Sequence, residues 1–263
     1  MTLAALLLAV LAAQAPASDL PEGNAFVRGL VGAQKRNEEA LNRYTYDLLD
    51  VREELDGRGA TKKRHSRLQE VFHVKGRPVG RLVAEDDQPL TPERQAKEDR
   101  KVAEKVKAIL EDKTVRELPG VRLSQILQRF DFRAVAREDV AGRTAVVLDF
   151  SPRPGKRDLD GDAVLRRLAG RIWVDEQERQ VVRAHLRNTD AVKIALGVLA
   201  SLSQLDAFLE FRKLEDGVWL PREIRVEYAG RKLFKSFRTR QTATYDRFRQ
   251  FEVQSQEHVK PGT

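Results

Sequence analysis

From residue 129 onwards the sequence repeatedly alternates apolar with polar side chains, and this period of two constrains the fold more than any other feature. Phe130, Phe132, Ala134 and Ala136, for example, occupy every second position. Alternation at this period places apolar side chains on one face of a β-strand. A sheet with one apolar face must bury it against another layer. The pattern therefore predicts an antiparallel sheet with a covered apolar face.

Turn signals such as Asp56-Gly57-Arg58-Gly59 divide the chain into about ten strands. In the central hairpin we expect five side chains on one face: Ile172, Val174, Val182, Ala184 and Leu186. Residues 193–202 are apolar on both faces, which fits a strand covered on both sides or a short helix. The candidate segments from which we expect these strands are 44–55, 62–74, 79–84, 129–137, 146–150, 171–175, 181–188, 193–202, 205–211, 218–228, 231–245 and 248–253.

Helical periodicity appears in two longer segments and one shorter one. Residues 19–43 carry a stripe at spacings of three and four that includes Phe26, Leu30 and Asn37. Thr91-Pro92 is a typical helix start, and the charged segment 92–112 has a narrow apolar stripe that fits a helix lying on the sheet or, less well, a coiled coil. Residues 121–128 fit a shorter helix. The economical fold is mainly β with helices (α+β): a curved antiparallel sheet covered by two or three helices.

The N-terminus indicates export. Residues 3–13 form an uncharged apolar run that is too short to span a bilayer comfortably, and small residues follow it. We expect a signal peptide of residues 1–17, cleaved after Ala17, with residues 18–263 forming a single domain. An N-terminal membrane anchor or the apolar end of the first helix are the alternatives. The expected location is the periplasm, with secretion as the alternative.

Charge and cysteine content restrict the partners. Lys and Arg exceed Asp and Glu by eight, which favours an anionic membrane surface unless the charges only solvate the strands. An exported chain rarely meets nucleic acid, so we expect no nucleic-acid partner. The absence of cysteine excludes disulfides, thiolate metal sites and the acylated cysteine of a lipoprotein.

No catalytic or metal-binding pattern is recognisable, and we expect a protein that is not an enzyme, with no cofactor and no metal. His65 and His73 are about 26 Å apart on an extended strand, too far to share a metal. The segment 158–162 resembles the start of a calcium loop, but Ala163 and Ala169 stand where that loop needs Gly and Glu. We instead expect a turn in which Asp162 caps a short helix at 163–169. A hydrolase with an unrecognised motif is a minor alternative.

The two tryptophans, Trp173 and Trp219, alternate with the apolar residues of their strands and therefore point to the opposite face. Packing against neighbouring strands is the preferred interpretation. A contact with a ligand or a membrane is the alternative.

Four motifs in order resemble the outer-membrane lipoprotein-sorting superfamily, which includes LolA/LolB-like carriers and RseB-like periplasmic regulators. They are a Tyr-x-Tyr strand (Tyr44, Tyr46) after the first helix, the hairpin 140–148, Gly-Arg-Ile-Trp-Val-Asp at 170–175 and Asp-Gly-Val-Trp-Leu-Pro at 216–221. The resemblance covers roughly residues 24–254. It implies a half-open β-barrel with helices as a lid over an apolar cavity, which in the carriers holds lipoprotein acyl chains. The missing cysteine excludes a LolB-like anchored receptor.

Two functional hypotheses follow from these observations. The first is a periplasmic carrier or binding protein for an apolar ligand, namely a lipid acyl chain or a lipoprotein, in envelope biogenesis. The second is a regulatory or protein-interaction module of the envelope without a transferable ligand, whose partner would contact helix 92–112. For the first hypothesis we expect a ligand-binding cavity lined by six apolar residues: Phe130, Phe132, Leu148, Phe150, Ile172 and Val174.

Overall fold

A computed structural model describes residues 20–113, 123–155, 162–194, 200–233 and 235–250. Twelve strands of these residues join one sheet in which every pair is antiparallel. They are β1 (Tyr44–Leu55), β2 (Thr61–Val74), β3 (Arg77–Glu85), β4 (Gln88–Pro89), β5 (Phe130–Val140), β6 (Arg143–Pro152), β7 (Leu168–Asp175), β8 (Val181–Asn188), β9 (Val192–Ile194), β10 (Ala200–Lys213), β11 (Trp219–Lys232) and β12 (Lys235–Gln250).

The strand order is β4-β3-β2-β1-β12-β11-β10-β8-β7-β6-β5, with β9 pairing with β10 beside this path. The first and last strands of the order do not pair, so the sheet is open. The helices are α1 (Gly23–Ala40), α2 (Pro92–Leu110), α3 (Leu123–Ile126) and α4 (Asp162–Leu165). These elements confirm the predicted α+β class. None of the described helices is long and apolar enough to cross a lipid bilayer. The expected signal peptide lies outside the described residues.

The two long helices start at polar caps that the sequence supplies. The Glu22 carboxylate accepts hydrogen bonds from the backbone N–H groups of Asn24 and Ala25, at 3.0 and 2.5 Å, at the start of α1. Thr91 Oγ1 accepts one from the Arg94 N–H, at 3.4 Å, at the start of α2. Such caps satisfy donors that the first helical turn leaves free.

The main core lies between α1 and one face of β5, β6, β7, β8 and β10. We call this the helix face of the sheet, because α1 covers it. α1 contributes Phe26, Val27 and Leu30, and Leu30 is completely buried. α2 packs at the other end of the strand order, against β3 and β2. Its Asp99 accepts a hydrogen bond from Arg81 Nε on β3 at 2.8 Å, and the strand register places Arg81 on the opposite face of the sheet.

A helix side chain binds an edge of the open sheet at each end: on the terminal strand β5, and on the part of β3 that the two-residue strand β4 does not cover. The backbone N–H of Phe132 on β5 donates to Asn24 Oδ1 of α1 at 2.8 Å. On β3, the N–H of Leu82 donates to Glu98 Oε1 of α2 at 3.3 Å. Unpaired strand edges invite pairing with other chains, and these two contacts cover part of each edge.

Three local predictions need correction. The strand predicted at 231–245 and the described part, 248–250, of the strand predicted at 248–253 belong to one strand, β12, and Arg231 belongs to β11. The turn between β11 and β12 was missed because residues 233–234 are Leu-Phe, which carry no turn signal. The helix predicted at 163–169 is α4, Asp162–Leu165, because β7 already begins at Leu168. Residues 156–161, which include most of the candidate calcium loop, lie outside the described residues.

The third correction concerns Val182. The β7–β8 register shifts between Trp173 and Val174, a β-bulge that pairs Val174 with Val181. The extra residue places Val181 in the main core and moves Val182 into a small cluster with Ala145 and Trp219 on the opposite face.

Candidate functional site

The six residues predicted to line an apolar cavity lie side by side on β5, β6 and β7. Strand pairing places Phe132 opposite Phe150 and Leu148 opposite Ile172. We call this set the floor: Phe130, Phe132, Leu148, Phe150, Ile172 and Val174. Their exposed fractions lie between 0% and 8%. The alternation of apolar and polar residues in the sequence therefore identified side chains that form one contiguous apolar surface.

In the described structure α1 covers the floor. Phe26, Val27 and Leu30 of α1 belong to the same buried cluster as the floor residues. The helix approaches closely at its start, where Gly23 has no side chain: a Cβ there would lie 2.3 Å from the Phe132 carbonyl oxygen. Side chains of the protein thus occupy the space above most of the floor.

An opening remains between α1 and β5. Its volume is about 190 Å³, and the floor residues Phe130 and Phe132 line it. The other lining residues are Asn24, Val27, Arg28, Val31, Leu127, Gln128 and Arg153. Pockets that enclose drug-sized ligands usually have volumes of about 300–1,000 Å³. The opening is therefore smaller than such a pocket, and most of the floor stays beneath α1.

Polar side chains attach α1 at both of its ends. Near the C-terminal end, the Trp219 N–H donates to Asn37 Oδ1 at 2.8 Å, and Asn37 Nδ2 donates to the Trp219 carbonyl oxygen. The next residue, Glu38, accepts from Ser124 N at 2.9 Å and from Ser124 Oγ at 2.6 Å. Asn24 binds β5 at the other end of the helix. These contacts are few, specific and replaceable by water.

One polar group beneath α1 is unsatisfied. Gln34 is 2% exposed, and its Oε1 has no hydrogen-bond partner among the described residues. A buried acceptor without a partner costs about 1–3 kcal/mol. Displacing α1 from the floor would return this oxygen to water and recover that cost.

The turn between β7 and β8 closes over α1. The Arg179 guanidinium lies 4.1 Å from the centre of the Phe26 ring, within cation–π distance. Asp175 holds the turn: it accepts from Arg143 Nε at 2.6 Å and from the Glu178 N–H at 2.7 Å. Burial raises the pKa of the Asp175 carboxyl, but these donors outweigh burial and hold its pKa below the usual value. Asp175 is therefore ionised at neutral pH.

Trp219 belongs to the small cluster with Ala145 and Val182 on the opposite face of the sheet, and Trp173 packs against that cluster. Trp219 is 6% exposed and donates from Nε1 to Glu178 Oε2 at 2.7 Å, so the packing interpretation holds for it. Trp173 donates to Glu138 Oε2 at 2.8 Å and lines an open cavity of about 340 Å³. The other lining residues are Arg183, His185, Asp206, Phe208, Arg225 and Glu227.

The described histidines lie apart. His65 is near Asp86, His73 is near the Tyr44 carbonyl, and His185 is near Asp206, at 3.1–3.4 Å. Burial lowers the pKa of His73. No cluster of three or more His, Asp or Glu side chains in the described ranges could hold a metal ion. His258 lies beyond those ranges.

Sequence reasoning missed the polar residues that attach α1. Asn37 was placed on the inward stripe of the helix, where an amide among apolar residues is itself a signal. Its backbone partner at Trp219 could not be predicted, because 182 residues separate them in sequence. Asn24 and Glu38 fall outside that stripe and carried no signal.

Comparison with known proteins adds the following. No protein-family model matches the sequence, and no curated protein matches it significantly. Among solved structures, a domain named as an outer membrane lipoprotein-sorting protein from Vibrio parahaemolyticus matches with a TM-score of 0.40 and 9% identity, over 91% of this chain and 94% of that chain. A LolA superfamily protein from Nitrosomonas europaea matches with a TM-score of 0.36 and 8% identity, over 86% and 94%.

A chain of the MucA/MucB complex of Pseudomonas aeruginosa matches with a TM-score of 0.28 and 13% identity, over 86% of this chain and 100% of that chain. The sequence motifs resemble the lipoprotein-sorting superfamily, and the descriptions of two of these solved structures name lipoprotein-sorting or LolA proteins.

Proposed function

We propose that this chain is an exported, non-catalytic envelope protein that binds an apolar ligand, a lipid acyl chain or lipoprotein, on the floor beneath α1. The observation that carries the proposal is a contiguous apolar surface covered by one amphipathic helix, with an opening at the helix edge. Each buried CH₂ of an acyl chain contributes about 0.8 kcal/mol, so a long chain can offset both the polar contacts of α1 and the burial of Phe26, Val27 and Leu30 on the floor.

The opening suits an amphiphile. Arg28 of α1 and Arg153 line it beside Phe130 and Phe132. Arg153 already donates from Nε to Asp131 at 2.9 Å. Arg28 is exposed and forms no ion pair within the described residues. An acyl chain entering here would leave its anionic head group beside Arg28.

Replacing Asn37 with alanine tests the proposal. The variant removes both polar contacts to Trp219, which we expect to cost about 2 kcal/mol of α1 attachment. If the ligand binds after α1 opens, the open population rises, and the apparent affinity for a fluorescent hexadecanoic acid increases up to about 30-fold. A purely structural Asn37 would lower stability without improving binding.

Ser66→Ala is the matched control. Ser66 is 1% exposed on β2, away from α1, and exchanges two hydrogen bonds with Asp87, at 2.8 and 3.0 Å. We expect a similar loss of stability and unchanged affinity for the fatty acid. Equal affinities in the wild type and the Asn37→Ala protein would contradict gating by α1.

The alternative function, a protein-interaction module without a transferable ligand, is favoured by one observation. α1 side chains occupy the space above most of the floor, as expected for a sheet that serves only as a scaffold. In that case the exposed side of α2 is the candidate partner surface. Absence of fatty-acid binding by both the wild type and Asn37→Ala would support this alternative over the carrier.

A further inference from the structure

The turn between β11 and β12 lies at one end of the sheet, where β10 still pairs with β11 through Ala200 and Lys232. β1 pairs with β12 only as far as Thr239, so residues 235–238 extend past the end of β1. Lys232 pairs with Lys235 at the end of the hairpin, and Leu233 follows at a φ of 54°. We call Arg231, Lys232, Leu233 and Lys235 the hairpin tip. On its β1 side, the described part of the tip therefore has no neighbouring strand.

The tip carries an apolar side chain that the protein does not use for packing. Leu233 is 57% exposed, and Leu110 is the only other large hydrophobic residue with comparable exposure in the described ranges. Exposing a leucine forfeits about 1.5–3 kcal/mol of burial. A contact that removes Leu233 from water would recover part of this.

Three cations surround Leu233 without counter-ions. Arg231, Lys232 and Lys235 are exposed and form no ion pair with any described residue. By contrast, the next arginines along β12, Arg238 and Arg240, both pair with Glu227. Lys232 and Lys235 are also directly opposite each other, and like charges in that position destabilise a hairpin. The fold therefore accumulates positive charge here that nothing in the described chain neutralises.

The base of the tip is rigid. Tyr228 and Phe237 form an edge-to-face pair with ring centroids 6.1 Å apart. Behind them the backbone of Gly230 packs so closely on β10 that a Cβ would lie 2.0 Å from the Ser201 carbonyl oxygen. The exposed leucine and the cations are thus held at the end of a well-packed hairpin.

We propose that the hairpin tip docks on an anionic lipid membrane, with Leu233 entering the boundary between head groups and acyl chains. Basic residues near an anionic leaflet each strengthen binding, and an apolar side chain among them inserts into the interface. Arginine and lysine stems can lie along the lipid while their charged ends reach phosphates. This inference is independent of ligand binding on the floor, because the tip contributes no residue to the floor or its opening.

Flotation of the exported protein with vesicles tests the proposal. We expect binding to vesicles of phosphatidylcholine with 30% phosphatidylglycerol and little binding to phosphatidylcholine alone. K232E/K235E should weaken binding about 30-fold or more, since each basic residue contributes about fivefold. L233S should weaken it about tenfold.

Two matched controls use α2, which presents similar groups elsewhere. K97E/K107E reverses two exposed lysines, with the same change in net charge, and L110S replaces the other exposed leucine. We expect both to bind vesicles within about twofold of the wild type. Equal weakening by K97E/K107E and K232E/K235E would show that net charge alone acts and would overturn the proposal. Unchanged binding by L233S, or equal binding to both vesicle types, would also overturn it.

Discussion

Replacing Leu30 with alanine is expected to lower the free energy of unfolding by about 3–4 kcal/mol. Leu30 is 0% exposed and lies in the cluster that joins α1 to the floor. The substitution removes buried methyl groups and leaves a cavity that the rigid sheet can only partly fill. Denaturant unfolding followed by circular dichroism measures the change.

Leu110→Ala is the matched control for this prediction. Leu110 is 54% exposed at the end of α2, so the same chemical change should cost less than about 0.5 kcal/mol. If Leu30→Ala cost no more than the control, α1 would not be packed on the floor, and the covered site would not exist as described.

Gly170→Ala is expected to destabilise the sheet by at least about 3 kcal/mol or to prevent recovery of folded protein. A Cβ at residue 170 of β7 would lie 2.1 Å from the His185 carbonyl oxygen and 2.8 Å from Leu186 Cα on β8. Both are backbone atoms, so β7 would have to separate from β8 next to the floor residue Ile172. The yield of soluble protein and its thermal unfolding temperature measure the effect.

Gly29→Ala makes the same chemical change where the structure has room. No atom lies within 4 Å of a Cβ at residue 29, which is exposed on α1. Alanine favours a helix over glycine by up to about 1 kcal/mol. The control should therefore be neutral or stabilising. A Gly170→Ala protein as stable as this control would contradict the close approach of β7 and β8.

Alternation was sufficient to predict the floor, because residues two apart on a strand share a face whatever lies above them. Phe130 and Phe132 on β5 and Leu148 and Phe150 on β6 were placed together on this argument alone. It failed at Val182, where a β-bulge adds one residue and exchanges the faces. A bulge leaves no reliable trace in the hydrophobic pattern, so its position comes only from the structure.

Turns were predictable where glycine or aspartate marks them. Asp56 accepts hydrogen bonds from the N–H groups of Arg58 and Ala60, at 2.8 and 2.9 Å, in the turn that the sequence indicated. Leu233 has a positive φ without being glycine or asparagine, so the turn after β11 carried no such mark. The position of the hairpin tip therefore followed only from the strand register.

The sequence also could not predict whether the space above the floor is vacant or filled by other parts of the protein. The stripe through Phe26 and Leu30 predicts that one side of α1 is buried, but periodicity does not say which strands it covers. Whether the floor is vacant or covered depends on contacts between segments more than 100 residues apart, such as Asn24 with Phe132. Such pairings follow from topology, and local patterns do not determine them.

Photolabelling with a diazirine-bearing hexadecanoic acid, followed by mass-spectrometric mapping of the labelled peptides, tests the binding of an acyl chain beneath α1 most directly. We expect label on the floor residues of β5, β6 and β7 and on the inward side of α1, with more label in Asn37→Ala than in the wild type. Label confined to other surfaces, or no label in either protein, would contradict a binding site beneath α1.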